Sequence, residues 1–281
     1  MDRPAVPRVF LADGVDVPAL GLGTWHMGES AASRRHEVDA LREGITRGLA
    51  LVDTAEMYGD GGAEEVVAEA LEGVREQCFV VSKVLPQHAS ARGVASACER
   101  SLARLRIDRL DLYLLHWRGS VPLAETVRAF EALRRDGRIA RWGVSNFDVD
   151  DIEELFALPE GRHCTVNQVL YHLGERGIEW ALADLCRRHR ISIMAYSPFD
   201  EGRLLGHRAL RAVAARIHAT PAQVALAWLV ARKVIAIPKA AHIRHVDDNA
   251  AAAALHLSDA TLRELDNAFP PPSRATPLAM I

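Results

Sequence analysis

Cysteine is scarce in this chain, and its four thiols, Cys78, Cys98, Cys164 and Cys186, lie far apart with no CxxC pair among them. That usage argues against a disulfide framework and suits a reducing compartment. Long hydrophobic runs are missing as well. Nothing approaches the roughly 20 apolar residues of a membrane span, and the opening MDRPAVPRVFLADG has no apolar stretch long enough for a signal peptide. The protein is accordingly expected in the cytoplasm, without a membrane partner. Neither sign of charge dominates: the formal net charge is −3, so no basic footprint for nucleic acid is present. Of the twelve histidines only His242 and His245 share a helical spacing, and no Cys or third His joins them, so no metal is expected.

What the chain does have is the make-up of an ordinary globular protein, 49% hydrophobic and 25% charged, which argues against disorder. Short apolar runs alternate with longer amphipathic stretches. The runs that read as strands are LGLG (20–23), ALVD (50–53), CFVVSK (78–83), DLYLLH (111–116), ARWGVS (140–145), TVNQ (165–168), ISIMAY (191–196) and KVIAIP (233–238). Between them apolar residues recur three and four apart over 33–48, 90–106, 123–137 and 221–232, as in helices. Ser33, Ser90 and Thr220-Pro221 read as helix starts and Gly137 as a helix stop.

Strand then helix, eight times without a linker or a composition break, predicts an α/β fold: a single (β/α)8 TIM barrel spanning 1–281. Asp13-Gly14 between two extended runs marks an N-terminal β-hairpin within 1–19 and its flank, placed to plug the barrel floor. The short, proline-rich C-terminal tail, 269–281, is expected to pack across a surface.

In such barrels the active site lies where the C-terminal ends of the strands converge. The polar residues there are Asp53, Lys83, His116, Ser145 with Asn146, Gln168, Tyr196 and Lys239, with Tyr58 just beyond Asp53. A phenol has a pKa near about 10 in water and is a poor acid at neutral pH. An ammonium beside it favours the phenolate, and a carboxylate paired with that ammonium keeps it charged. An imidazole can orient a carbonyl oxygen. Asp53, Tyr58, Lys83 and His116 therefore form the kind of set that could reduce or oxidise a carbonyl, given a source of hydride.

These residues sit in motifs that occur in order along nearly the whole chain: GLGTW (21–25), VDTAEMYG (52–59), SKV (82–84), LLHW (114–117), GVSNF (143–147), NQ (167–168), YSP (196–198) and IPK (237–239). On them the chain resembles the aldo-keto reductases; within that family the runs 52–71, 111–120 and 166–180 look most like bacterial reductases that act on methylglyoxal and related short or aromatic aldehydes. The resemblance implies that Tyr58 is the general acid, Lys83 tunes it, Asp53 holds Lys83, and His116 places the substrate carbonyl. It implies hydride from NADPH, bound without the dinucleotide fingerprint that the lone GLG fails to complete.

The cofactor site implied comprises Gly23, Thr24, Ser145, Asn146, Gln168, Tyr196, Ser197, Pro198, Lys239, Ala240, Arg244, His245 and Asn249. Two departures from the family pattern fall there: Ala240 replaces a usual serine, and His245 stands where many members carry arginine. Lys239, Arg244 and a partly protonated His245 still favour a 2′-phosphate. Trp25, Met57 and Trp117 are expected to wall the substrate pocket. The short tail predicts an open, unselective one. An inserted DGG after Tyr58 shapes the start of the next helix. The expected partner is a small carbonyl compound, and the chain is expected to act as a monomer. Two rival readings stay open: an NADPH-binding redox sensor of the same fold, and a Schiff-base lyase using Lys83.

Overall fold

The computed structural model describes residues 6–281. An antiparallel hairpin comes first, β1 (Arg8–Phe10) and β2 (Asp16–Pro18), with Val9 opposite Val17. Its turn is made by Asp13 and Gly14, the glycine taking a φ of 84°.

Eight parallel strands follow in sequence order: β3 (Leu22–Gly23), β4 (Leu51–Asp53), β5 (Phe79–Val84), β6 (Leu112–Leu115), β7 (Trp142–Ser145), β8 (Cys164–Leu170), β9 (Ser192–Tyr196) and β10 (Ile235–Ala236). The sheet closes on itself: the Gly21 amide donates to the Ala236 carbonyl at 2.9 Å and the Ala236 amide to the Ala19 carbonyl at 2.8 Å. The predicted barrel is thus observed, with several strands shorter than expected, the first and last most of all. The last strand stops before Pro238, which has no N–H to give to a neighbour.

Helices cover the outside: α1 (Arg34–Thr46), α2 (Gly62–Ala70), α3 (Ala91–Leu105), α4 (Leu123–Arg135), α5 (Val149–Ala157), α6 (Leu182–Arg188), α7 (Arg208–Arg216), α8 (Pro221–Ala231), α9 (Ile243–Ala251) and α10 (Asp259–Ala268). Their limits follow local chemistry. Ser90 accepts from the Gly93 amide to start α3, and Gly137 follows α4 with a φ of 73°. Ser33 departs from its expected capping role. Its backbone is already helical, and its hydroxyl donates to Glu37 at 2.7 Å, leaving the first amides of α1 without a side-chain cap.

The apolar residues divide into two layers. One lies between strands and helices, and the other fills the barrel, where Val9, Leu11 and Val17 of the hairpin meet Leu51, Val81, Leu112, Val166 and Ile235. The hairpin is therefore the floor of the barrel, as its sequence suggested. That floor leaves the opposite end free to carry a site.

Helix α8 is tied to α9 by a polar knot. Thr220 accepts from the Gln223 amide at 3.1 Å while its hydroxyl donates to Asp248, and the Gln223 side chain also donates to Asp248 at 2.8 Å. Thr220→Ala removes the cap and the Asp248 contact together. A loss of about 1–2 kcal/mol is expected from the cap alone, measured as a lowered urea midpoint with unchanged m-value.

Candidate active site

Side chains alternate faces along a strand, so two steps from the floor lead to the mouth. Leu51 is followed inward by Asp53, Val81 by Lys83, Leu114 by His116, Val166 by Gln168 and Met194 by Tyr196. These residues converge on a cavity of about 270 Å³, which Tyr58 enters from the turn after β4. Lys83 lies beneath the cavity and is wholly buried.

The Lys83 ammonium has three donors and each has a partner. Nζ donates to Asp53 Oδ2 at 2.7 Å, to the Thr54 carbonyl at 2.9 Å and to Tyr58 Oη at 3.1 Å. Asp53 is held at its other oxygen by Gln168 Nε2, 2.7 Å away, and its own carbonyl accepts from the Thr24 hydroxyl at 2.9 Å. Burial by itself works to lower the pKa of Lys83, but Asp53 and Tyr58 outweigh it and the amine is raised, so it stays charged. Burial pushes the Asp53 carboxyl up against the opposing pull of Lys83 and Gln168.

Tyr58 differs from the simple expectation. Burial raises its phenol, and although Lys83 pulls it back down, the net direction remains upward. The hydroxyl therefore keeps its proton at neutral pH. Beside it, His116 meets the Tyr58 ring edge-on at 5.8 Å between centroids. Burial and the Lys83 charge lower its pKa to about 2, which makes the imidazole neutral at any working pH. Its Nδ1 is buried without a partner. Placing the single proton on Nε2 leaves only an unpaired acceptor at Nδ1, a smaller cost than an orphaned N–H.

Gly23, Thr24, Trp25, Met57, Trp117, Ser145, Asn146, Ser197 and Lys239 also line this cavity. Some of the polar groups expected to meet nicotinamide are already engaged. Ser145 donates to the Gln168 carbonyl, and Asn146, held at a φ of 58°, donates to the His116 carbonyl and accepts from the Tyr196 hydroxyl at 2.9 Å. Because a carboxylate can only accept, the Gln168 amide must turn its nitrogen to Asp53 and its oxygen away from it.

Arg244 and His245 sit in a neighbouring depression with Gln223 and Asp248, while Pro198, Ala240 and Asn249 are buried near these two cavities' elements without lining them. Asn249 Nδ2 has no hydrogen-bond partner, an orphaned donor on the helix that also carries the exposed Arg244 and His245, with Lys239 exposed on the loop before that helix. Aromatic face, amide groups, cations and orphaned donor together fit an anionic dinucleotide. His245 needs a correction: burial lowers its pKa, and Arg244, His242 and Lys239 add to this against Asp248, so in the free protein it is less protonated than an ordinary histidine.

The open pocket expected from the short tail is also corrected. Met280 and Ile281 return to line the cavity beside Tyr196, together with Ile237. The tail's start is anchored by Arg176, which pairs with Asp266 and donates to the Phe269 carbonyl. Neither tail residue belongs to a motif or a strand, so no pattern in the sequence marked them.

A parallel barrel whose mouth holds a charged, buried lysine between a carboxylate and a phenol, beside a neutral imidazole, defines a site for proton transfer to a polarised oxygen. Comparison with known proteins carries this further. The Aldo/keto reductase family model matches residues 19–269, and the chain belongs to that family. It is 52% identical to methylglyoxal reductase YeaE of Escherichia coli over 95% of this chain and 96% of the relative. It is 33% identical to glyoxal reductase of Bacillus subtilis over 92% and 91%. Among solved structures, an aldo/keto reductase from Klebsiella pneumoniae in complex with NADP and acetate superposes with a TM-score of 0.96 at 50% identity, covering 99% of this chain and all of that one.

The buried pair yields a stability test. Asp53→Ala strands a buried ammonium and should cost about 3–5 kcal/mol, whereas Asp53→Leu combined with Lys83→Met should recover much of that loss. Urea unfolding of the three proteins measures it.

Proposed function

We propose that the protein reduces aldehydes and ketones to alcohols with NADPH, methylglyoxal and other small or aromatic aldehydes being its substrates, and that Tyr58 supplies the proton. The observation that carries this is the Lys83 ammonium bonded at once to Asp53 and to the Tyr58 hydroxyl. The names of the Escherichia coli and Bacillus subtilis relatives support the dicarbonyl substrate class, and the NADP-bound Klebsiella structure supports the cofactor.

When bound, the cofactor supplies hydride to the carbonyl carbon. Gln168 Oε1 and the Tyr196 face would hold its nicotinamide end, with Lys239, Arg244 and His245 meeting its 2′-phosphate and Asn249 a further polar group. His116 Nε2–H donates to the substrate oxygen and polarises it. As negative charge grows on that oxygen, Tyr58 Oη releases its proton to it, and Lys83 stabilises the phenolate left behind. The raised phenol suits this direction: the acid is loaded before each turnover, and a nascent alkoxide is basic enough to take the proton. Trp25, Met57, Trp117, Met280 and Ile281 form the apolar wall.

Lys83 as an imine-forming nucleophile is disfavoured by the same geometry. Its nitrogen is buried, fully bonded and held charged, whereas a nucleophile needs a free, neutral amine. Four buried, unpaired thiols support work in the reducing cytoplasm, and we place the enzyme there as a monomer.

Tyr58→Phe should lower kcat by about 10²–10⁴-fold while NADPH affinity, read by fluorescence titration, stays within about twofold; loss of cofactor binding would count against the assignment. With His116 neutral and Tyr58 raised, kcat of the natural protein should stay level through neutral pH and fall only as pH rises past the ordinary phenol range. A fall centred near pH 7 would contradict it.

The cofactor end gives a separate test. A 2′-phosphate favours protonated His245, so NADPH affinity should be greatest at pH values below the lowered pKa of the free site. It should weaken as pH rises through the histidine's pKa in the complex, while NADH affinity stays flatter. Parallel pH dependence of the two cofactors would exclude a His245 contact.

A further inference from the structure

The inserted glycines after Tyr58 and a buried carboxylate that the reaction does not use belong to one device. Residues 59–61 all have left-handed backbones, with φ of 57°, 53° and 90°, and they fold the chain back from Tyr58 into α2. In the first turn of α2, Glu64 is completely buried and both its oxygens are engaged. Oε1 accepts from the Ser82 hydroxyl at 2.6 Å, and Oε2 accepts from Arg104 Nε, at the end of α3, at 2.7 Å. The guanidinium lies directly under the turn: a Cβ placed on Gly61 would come within 2.6 Å of Arg104 Nε. Only glycine lets it pass so close.

Ser82 is the residue before Lys83 on β5. Strand alternation sends Lys83 into the barrel and Ser82 outward to Glu64. Glu64 thus joins three elements: the segment that bears Tyr58, the strand that bears Lys83, and the helix that supports the turn between them. We propose that Glu64 is a positioning residue for proton transfer, fixing Tyr58 against Lys83 through Ser82 and Arg104; this rests on Tyr58 being the proton donor.

The physical reason is the narrow tolerance of the pair. The contact between Lys83 Nζ and Tyr58 Oη is 3.1 Å, near the long end of a good hydrogen bond, so a shift of half an ångström or so would break it. A displacement of about 1 Å at a reacting group can cost on the order of 10²-fold in rate. Ser82 and Glu64 do not line the cavity, so neither side chain is among those that would meet cofactor or substrate there.

The test is a double-mutant cycle in single-turnover reduction of methylglyoxal by NADPH. Ser82→Ala removes one hydroxyl, and Glu64→Gln removes the charge; each should lower the rate about tenfold or more, with KM and NADPH affinity within about twofold. In the Tyr58→Phe background the same substitutions should have no further effect, because the group they position is gone. Equal fold losses in both backgrounds, or unchanged rates in the natural background, overturn the proposal. If Glu64→Gln does not fold, Ser82→Ala alone completes the cycle. Full turnover by Tyr58→Phe itself would instead overturn the acid assignment on which the proposal stands.

Discussion

The charge on Lys83 is the constraint around which the site is arranged. An ammonium with no exposure to water costs several kcal/mol to desolvate, and its place inside the barrel is tenable only because Asp53, the Thr54 carbonyl and Tyr58 take all three of its protons. Each partner acquires a secondary duty. Asp53 must remain a carboxylate, which explains why Gln168 reaches across from β8 to its other oxygen. Tyr58 must be held within reach of Nζ although it lies on a turn, and the glycine-rich return beneath it, with Arg104 underneath, supplies that support. His116 feels the same charge at its imidazole and is kept neutral by it and by burial.

Barrel geometry makes such an arrangement possible with few residues. The hairpin closes one end with Val9, Leu11 and Val17, so the inward positions near it are filled by aliphatic side chains and those two residues further on are free for polar ones. A strand in a parallel barrel thus carries both a packing residue and a site residue on one face, separated by one turned outward. Ser82 shows that the outward residue can matter as well, since its bond to Glu64 connects the helical layer to the strand that carries the lysine.

The cofactor end is built differently. Lys239, Arg244 and His245 are exposed on the last strand's loop and on α9, where water screens each charge, so no one of them is fixed by burial as Lys83 is. Position there is set by helix α9, which the Thr220–Gln223–Asp248 knot fastens to α8. A contact of His245 with the 2′-phosphate, as proposed, would make this end respond to pH near neutrality, where His116 stays neutral.

Much of this was legible in the chain itself. Short apolar runs, five of them ending in Asp53, Lys83, His116, Gln168 and Tyr196, alternate with amphipathic stretches along the chain, and that order pointed both to the barrel and to the residues at its mouth. Helix limits at Ser90, Thr220 and Gly137 followed from local hydrogen-bonding chemistry and backbone freedom. Contacts between residues far apart in sequence have no such pattern. The return of Met280 and Ile281 to the cavity, the turn of Gln168 toward Asp53, the upward shift of the Tyr58 phenol and the downward shift of His245 all depend on what burial places beside a group. The sequence by itself determined the barrel and the identity of the groups at its mouth; only the tertiary structure decided their protonation and their partners, because desolvation and long-range packing are properties of the folded chain.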